Sequence, residues 1–368
     1  MNGLSEIIRD EIKSNGPMRF KRFMELALYH PELGYYISKV RIGSKIKNPN
    51  DTYDFSTHPE TYSPYYGAAF AKLMATIAQQ LPEEVTIHEQ GAGNGTLAND
   101  ILDFIQDKHP SLYERLSYVI TDISPLLRQK QEEKLAGHSH VLVQAGSALT
   151  TEIPPFTGFL ITNELPDAFP VDLVVKAENS FRVVTVDERN GTFLPQWNIP
   201  AGEREMSYLG RGLYLPQVLP FELSRISSGQ HGIANELIRV AVPINEDMLL
   251  WYARVTKNIQ SGAVITTDYG RFEGGEILNA VSNDDRALRT FKDGNGDRLL
   301  MNPFIEVGER DMTSDVNFGL LVEVAKENGL NTHSFRREDE IMYHFSQKTM
   351  YSTFKTLIQP KGVTIPLF

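Results

Sequence analysis

The pattern of apolar and polar positions divides the chain into a helical front and an alternating strand–helix body. Leu4, Ile7, Ile8 and Ile12 recur at helical spacing and predict a short helix, stopped by Asn15-Gly16-Pro17. A second helix is expected from Met18 to about Tyr29, ended by Pro31. Leu33-Gly34-Tyr35-Tyr36 and a polar loop through Lys45–Asn50 follow, and helical periodicity returns near Tyr65 and runs over Ala68–Gln80. From Val85 the pattern changes. Short apolar runs at Val85–Glu89, Ser117–Thr121, His140–Gln144 and Gly158–Thr162 read as strands, with helices after Thr96 and Pro125, and this alternation implies a parallel sheet. Val171–Lys176, Phe181–Val186 and Thr192–Leu194 read as an antiparallel meander with Asn190-Gly191 at its hairpin turn. Pro195–Pro243 has little periodicity. A helix is expected near Asn245–Gln260, a further central strand at Ala263–Thr267, a loop rich in Gly, Asn and Asp to about Gly296, a helix at Gly319–Lys326, and the last strands from about Asn331.

The densest chemical signal lies where the first strand of the body ends. Glu89-Gln90-Gly91-Ala92-Gly93-Asn94-Gly95-Thr96-Leu97 reads as strand, glycine turn and helix start. Glycines at alternate positions let the backbone turn with positive φ and keep Cβ atoms away from a ligand. Thr96 is expected to cap the following helix, whose apolar face is Leu97, Ile101, Leu102 and Ile105. Glu89 falls at the carboxyl end of a strand, where open α/β sheets bind ligands. The spacing is E-x-G-x-G-x-G and lacks the final two-residue gap of dinucleotide sites. A glycine-rich turn without a ligand is the alternative. Asp122 ends the next strand, the position from which an acid takes ribose hydroxyls; the alternative is a helix-capping acid ahead of Ser124-Pro125.

Composition narrows the classes. The chain has 368 residues, 41% hydrophobic and 23% charged, enough for one large domain or two ordinary ones. A net charge of −11 argues against a nucleic-acid surface and suits a cationic substrate. The absence of cysteine excludes disulfides, thiolate metal sites and cysteine nucleophiles. The nine histidines show no metal-ligand spacing, and no metal is expected. The first fifteen residues carry Glu6, Asp10 and Glu11, too acidic for a transit peptide and too polar for a signal peptide. No apolar run approaches a membrane span, and a bacterial-type cytoplasm is the simplest reading.

E-x-G-x-G-x-G resembles motif I of class I S-adenosylmethionine methyltransferases. Further matching pieces run through most of the chain: Met24–Tyr36, the Asp54–Glu60 loop, Asp122-Ile123-Ser124-Pro125 with Leu127-Arg128, Asn163-Glu164-Leu165-Pro166-Asp167-Ala168-Phe169-Pro170-Val171, Asp268-Tyr269-Gly270 and Asp311–Phe318. In this order the chain resembles the MidA-type (DUF185) family of S-adenosylmethionine-dependent methyltransferases, which includes a mitochondrial complex I assembly factor that methylates a protein arginine. The resemblance implies an α/β fold: a Rossmann-like core over 81–171 and 244–368, an N-terminal helical cap over 1–80, and an inserted, partly antiparallel, substrate-side subdomain over 172–243. It implies S-adenosyl-L-methionine as cofactor, held by Glu89, Gly91, Gly93, Gly95, Thr96, Asp122, Ile123 and Glu60.

The acceptor side is expected at Asn163, Glu164 and Asp167, after the fourth strand. Two carboxylates there are suited to hold a guanidinium by charge-assisted hydrogen bonds; a loop with an ordinary N-terminal helix acid is the alternative. The Asp54–Glu60 loop reads either as a ligand lid or as a solvated connection, and Asp268-Tyr269-Gly270 as a border of the cleft or a plain turn. The chain departs from the family at Thr57-His58-Pro59-Glu60-Thr61-Tyr62-Ser63, at Asn94, at Leu165-Pro166 and at Asp172. These departures lie around the presumed acceptor site. The leading expectation is methylation of a protein side chain, arginine by resemblance. A small-molecule O- or C-methyltransferase and a cofactor-binding assembly factor without turnover stay open, as does a homodimer.

Overall fold

The computed structural model describes residues 3–44, 50, 52–82, 84–177, 179–212, 220–221, 230–272, 288–292, 302–337, 340–341, 343–344 and 354–365. Most of the expected polar loop at Lys45–Asn50 and of the Gly/Asn/Asp-rich stretch before Gly296 lies outside them. The chain forms two compact units. One comprises Met1–Val40, Asp167–Asp247 and Gly270–Leu320, the other Arg41–Pro166, Met248–Tyr269 and Leu321–Phe368.

The second unit carries a seven-stranded sheet. Its strands are β1 (Val85–Gln90), β2 (Leu116–Asp122), β3 (Val141–Ala145), β4 (Phe156–Asn163), β5 (Ile259–Asp268), β6 (Ser334–Arg337) and β7 (Lys355–Lys361). They lie in the order β6-β7-β5-β4-β1-β2-β3. All neighbours from β5 to β3 are parallel, and β7 runs antiparallel to both β5 and β6. The central strands β1, β4 and β5 are buried along nearly their whole length because both faces are covered, whereas the edge strand β3 has no buried residue. Over one face, helices Tyr65–Ala78 and Thr96–Lys108 bury Phe70, Met74, Ile101 and Ile105 with Ile87, Tyr118, Ile120, Phe159 and Ile265. Gln90 points away from that face, as the two-residue strand period requires. There it accepts a 2.7 Å hydrogen bond from Trp251 of the helix Glu246–Asn258. Strand order reverses at β1, which has β2 on one side and β4 on the other, so the switch-point crevice lies at their carboxyl ends.

The other unit is built on a mainly antiparallel sheet ordered Met18–Arg19, Ser180–Arg189, Asp172–Ala177, Val242–Ile244, with Thr192–Pro200 antiparallel on Ser180–Arg189 and Pro220–Phe221 parallel on Asp172–Ala177. The Asn190-Gly191 hairpin is present, with φ of 51° and 83°. Three expectations are corrected here. Met18–Arg19 is a strand on Val186 and Thr185, and the helix starts at Phe20. The front 80 residues are not one cap. Met1–Val40 belongs with the meander because the strand at Met18 completes that sheet and the next helix buries Phe20, Phe23 and Met24. Arg19 also pairs with buried Asp172 at 2.9 Å and with Glu205 at 2.6 Å. Gly270–Leu320 likewise leaves the expected core for this unit.

Candidate active site

The glycine turn leaves β1 in the conformation its sequence demands. Gly91, Gly93 and Gly95 have φ of 71°, 55° and 76°. A Cβ on Gly91 would stand 2.8 Å from Leu165 Cδ1 and would push that side chain aside, on top of the strain that the positive φ imposes. Gly95 is the N-cap of Thr96–Lys108, which corrects the expectation that Thr96 caps that helix. The left-handed residue has already taken the cap position, and Thr96 is the first helical residue. Its hydroxyl instead meets Glu60 and Lys134. Glu60 sits on the short helix His58–Tyr62, whose N-cap Thr57 accepts from the Glu60 amide. Its Oε1 also accepts from Asn94 Nδ2 at 3.2 Å, and the same amide donates to the Ile42 carbonyl at 3.0 Å. Asp54 is buried and paired with Arg41 at 2.6 Å. The polar loop is therefore a strap bound to the glycine turn rather than a solvated connection.

Two acids stand at the ends of neighbouring strands. Glu89 is buried, and Tyr118 donates to its Oε2 at 2.7 Å. Burial, with a smaller contribution from the Asp122 charge, pushes its carboxyl up to about 7 against the pull of the Tyr118 bond. Asp122 is raised to about 6, also by burial, while hydrogen bonds from the Ser124 amide and Gln131 and the nearby Arg128 oppose the shift. Its Oδ1 accepts from Ser124 N and its Oδ2 from Gln131 Nε2, each at 2.9 Å. The helix-capping alternative belongs to Ser124, which caps Pro125–Leu135. Ile123 contributes its carbonyl to Arg128 at 3.0 Å.

Beyond β4, Asn163 Oδ1 accepts from buried Tyr66 at 2.6 Å, and Asn163 Nδ2 donates to Glu164 Oε1 at 2.9 Å. The His58 amide donates to the same oxygen at 3.2 Å. Glu164 has φ 55°, and its own amide is fixed to the Thr267 carbonyl of β5 at 2.8 Å. Tyr269, past the end of β5, meets Phe354 edge-on, and Phe354 meets His58 in the same way. The Asp268-Tyr269-Gly270 turn therefore reaches the ring cluster beside Glu164. Asp167 lies on the single turn Pro166–Ala168 and belongs to the other unit, where its carbonyl accepts from Ser314 at 3.4 Å. Among the described residues no cluster of three or more His, Asp or Glu could hold a metal ion. None of their helices is long and apolar enough to cross a membrane.

The sequence of a family described as "Putative S-adenosyl-L-methionine-dependent methyltransferase" matches residues 69–336. The chain belongs to that family. It is an S-adenosylmethionine-dependent methyltransferase of α/β fold. Among its relatives, the Protein arginine methyltransferase NDUFAF7 homolog, mitochondrial, of Drosophila melanogaster is 23% identical over 355 residues, which cover 90% of this chain and 71% of that protein. The Xenopus tropicalis Protein arginine methyltransferase NDUFAF7, mitochondrial, is 23% identical over 354 residues, 89% of this chain and 71% of its own. A COG1565 superfamily member from Burkholderia thailandensis, solved bound to S-adenosyl-homocysteine, shares the fold with a TM-score of 0.73 at 21% identity, covering 98% of this chain and 92% of that one.

The residues of the methyltransferase's glycine turn fit its cofactor. The turn presents backbone without Cβ atoms, and two buried carboxylates with raised pKa values would be favoured in their charged form by a cationic ligand. Tyr66, Tyr118, Gln131 and the His58 amide were not found from sequence. Gln131 alone left a signal there: it takes the middle position of the buried stripe Leu127, Gln131, Leu135, where an apolar residue is the rule.

Proposed function

We propose that this methyltransferase acts on a protein side chain, an arginine, with Glu164 as the acceptor-side base. The observation that carries the reading is the state of Glu164: a charged residue held at φ 55° at the end of β4, with two donors on one carboxylate oxygen. A non-glycine residue in that region costs of order 1–3 kcal/mol and persists where the surroundings over-determine it, as at active sites. Bound S-adenosylmethionine supplies a methyl group on a sulfonium, already activated for in-line displacement. The tasks left to the chain are to place the acceptor nitrogen, desolvate it and take its proton. A guanidinium has a pKa above 12 and a delocalised lone pair. A carboxylate in one fixed orientation polarises the nitrogen and receives its proton as the new N–C bond forms. Asn163, oriented by Tyr66, and the His58 amide would keep Glu164 in that orientation.

On the cofactor side, the reading gives Glu89, the glycine turn and Asp122 the binding role, with Asp122 on the ribose hydroxyls. Glu60 and Thr96 would brace the turn. The relatives' names and the acidic balance of −11 support a cationic protein acceptor. The part expected of Asp167, acceptor binding, rests on its place after β4, the acidic balance and the family resemblance. A cytoplasmic setting and a homodimer belong to the same proposal, and cell fractionation and native mass measurement test them. The function itself is tested by tritium transfer from labelled S-adenosylmethionine into host lysate, separated into protein and small-molecule fractions. Label in protein is expected. Label confined to small molecules would replace the proposal by a biosynthetic methyltransferase. Tight cofactor binding with no label anywhere would replace it by an assembly factor without turnover.

A further inference from the structure

We infer that Gln131 is a positioning residue for cofactor binding, one amide that locks the glycine turn and the ribose-side acid into a single surface. Gln131 is fully buried on the helix Pro125–Leu135. Its Nε2 donates twice, to the Gly93 carbonyl at 2.8 Å and to Asp122 Oδ2 at 2.9 Å. The two acceptors belong to different strands: Gly93 lies in the turn that follows β1, and Asp122 is the last residue of β2. The helix approaches the turn closely: a Cβ on Gly95 would stand 3.3 Å from Gln131 Cα. The Oε1 of the same amide is buried with no hydrogen-bond partner among the described residues. An orphaned buried acceptor is costly. The alternative, an apolar side chain continuing the Leu127 and Leu135 stripe, carries no such cost, so the amide is retained for its two donations.

Those donations have a consequence for the ligand. A carboxylate offers about four acceptor sites over its two oxygens. Ser124 N and Gln131 Nε2 take one on each oxygen of Asp122. The carboxylate plane is thereby fixed while one site on each oxygen is left over, the number a pair of vicinal hydroxyls requires. The Gly93 carbonyl, turned towards Gln131, is kept from the ligand side, and the flanking amides of the turn keep one orientation. The charged neighbours of Asp122 are Arg128 on the same helix, whose Nη1 donates to the Asp122 carbonyl at 2.9 Å, and Glu89 on β1, itself bound by Tyr118 of β2. Gln131 is the neutral donor that favours the ionised form of Asp122 amid this burial.

The inference rests on the ribose role of Asp122 but not on the arginine acceptor, and its test measures binding, not transfer. Gln131→Met keeps the length of the side chain and removes the donor. In calorimetry with S-adenosylhomocysteine, this variant is expected to bind about tenfold more weakly at pH 8. Its affinity should also fall off at a higher pH than that of the wild type, because Asp122 loses a bond that holds it ionised. A merely structural role would weaken binding without moving that midpoint. Gln131→Glu is the second variant. At pH 8 it sets a carboxylate against Asp122 and the Gly93 carbonyl, and on acidification it gains a proton to donate. The ratio of wild-type to variant affinity should then narrow between pH 8 and pH 6. Wild-type affinity in Gln131→Met, an unmoved midpoint, or a pH-independent ratio in Gln131→Glu would each overturn the inference.

Discussion

Glu164 combines a backbone conformation that favours glycine with a side chain tied to two donors. The two features separate in mutants. Glu164→Gln keeps shape and removes charge; methyl transfer should fall by roughly 10²–10⁴-fold, the range for losing an acid–base group, with S-adenosylhomocysteine affinity nearly intact. Glu164→Gly and Glu164→Ala both lose the carboxylate and its two donors, and both should lose transfer, but only Gly relieves φ and it should melt above Ala; a Gly variant melting clearly below Ala would show that φ 55° carries no strain. On the cofactor side, Asp122→Ala should weaken binding by about 1.5–3 kcal/mol, the scale of hydrogen bonds to a charged group. Gly93→Val forces a β-branched residue to φ 55° and should abolish binding in a folded protein. Calorimetry giving wild-type affinity for both would remove the site. Glu89 adds a pH dependence. Its folded pKa of about 7 is raised, so the stability it contributes is complete below its unfolded value and lost as pH rises through 7. In the cofactor-free protein, Glu89→Gln should therefore gain stability relative to wild type between pH 5 and pH 8. A constant difference over that range would mean Glu89 titrates normally.

At the level of elements, Ile42 and the strap over residues 52–62 are held to the glycine turn through Asn94 and Glu60. Glu60→Ala removes two of these bonds. Hydrogen exchange of residues 52–62 should speed up in the variant, and S-adenosylhomocysteine should add protection there in the wild type. Equal exchange in both proteins, unaffected by the ligand, would make the strap indifferent to the site. The elements proposed to bind cofactor were the legible ones. β1, β2 and β4 are short runs of β-branched, aromatic and other apolar residues bounded by turn residues, and the glycine pattern marks the loop between β1 and its helix. What escaped depended on partners far along the chain. Met18–Arg19 is a strand only because Val186 and Thr185 stand opposite it. Tyr66 is 97 residues from the Asn163 it orients. Thr96 reads as a cap from composition, but Gly95 reaches the left-handed conformation first.

For the whole molecule, family membership, fold and cofactor agree with what the motifs implied, while the partition of the chain does not. Apolar periodicity reports that a segment is amphipathic, not which sheet it completes. For that reason 1–40 could not be assigned from sequence to the meander, which begins only at Asp172. The proposed acceptor site is likewise absent from local pattern: it depends on how Asn163, Glu164, Tyr66 and His58 are brought together. The proposed reaction is arginine methylation through Glu164. The most direct measurement is amino-acid analysis of the protein fraction after incubation with methyl-labelled S-adenosylmethionine, comparing wild type with Glu164→Gln. The account predicts labelled methylarginine with the wild type and a loss of 10²-fold or more with the variant, at matched cofactor occupancy. Label in another residue type, or equal methylarginine from both proteins, would contradict it.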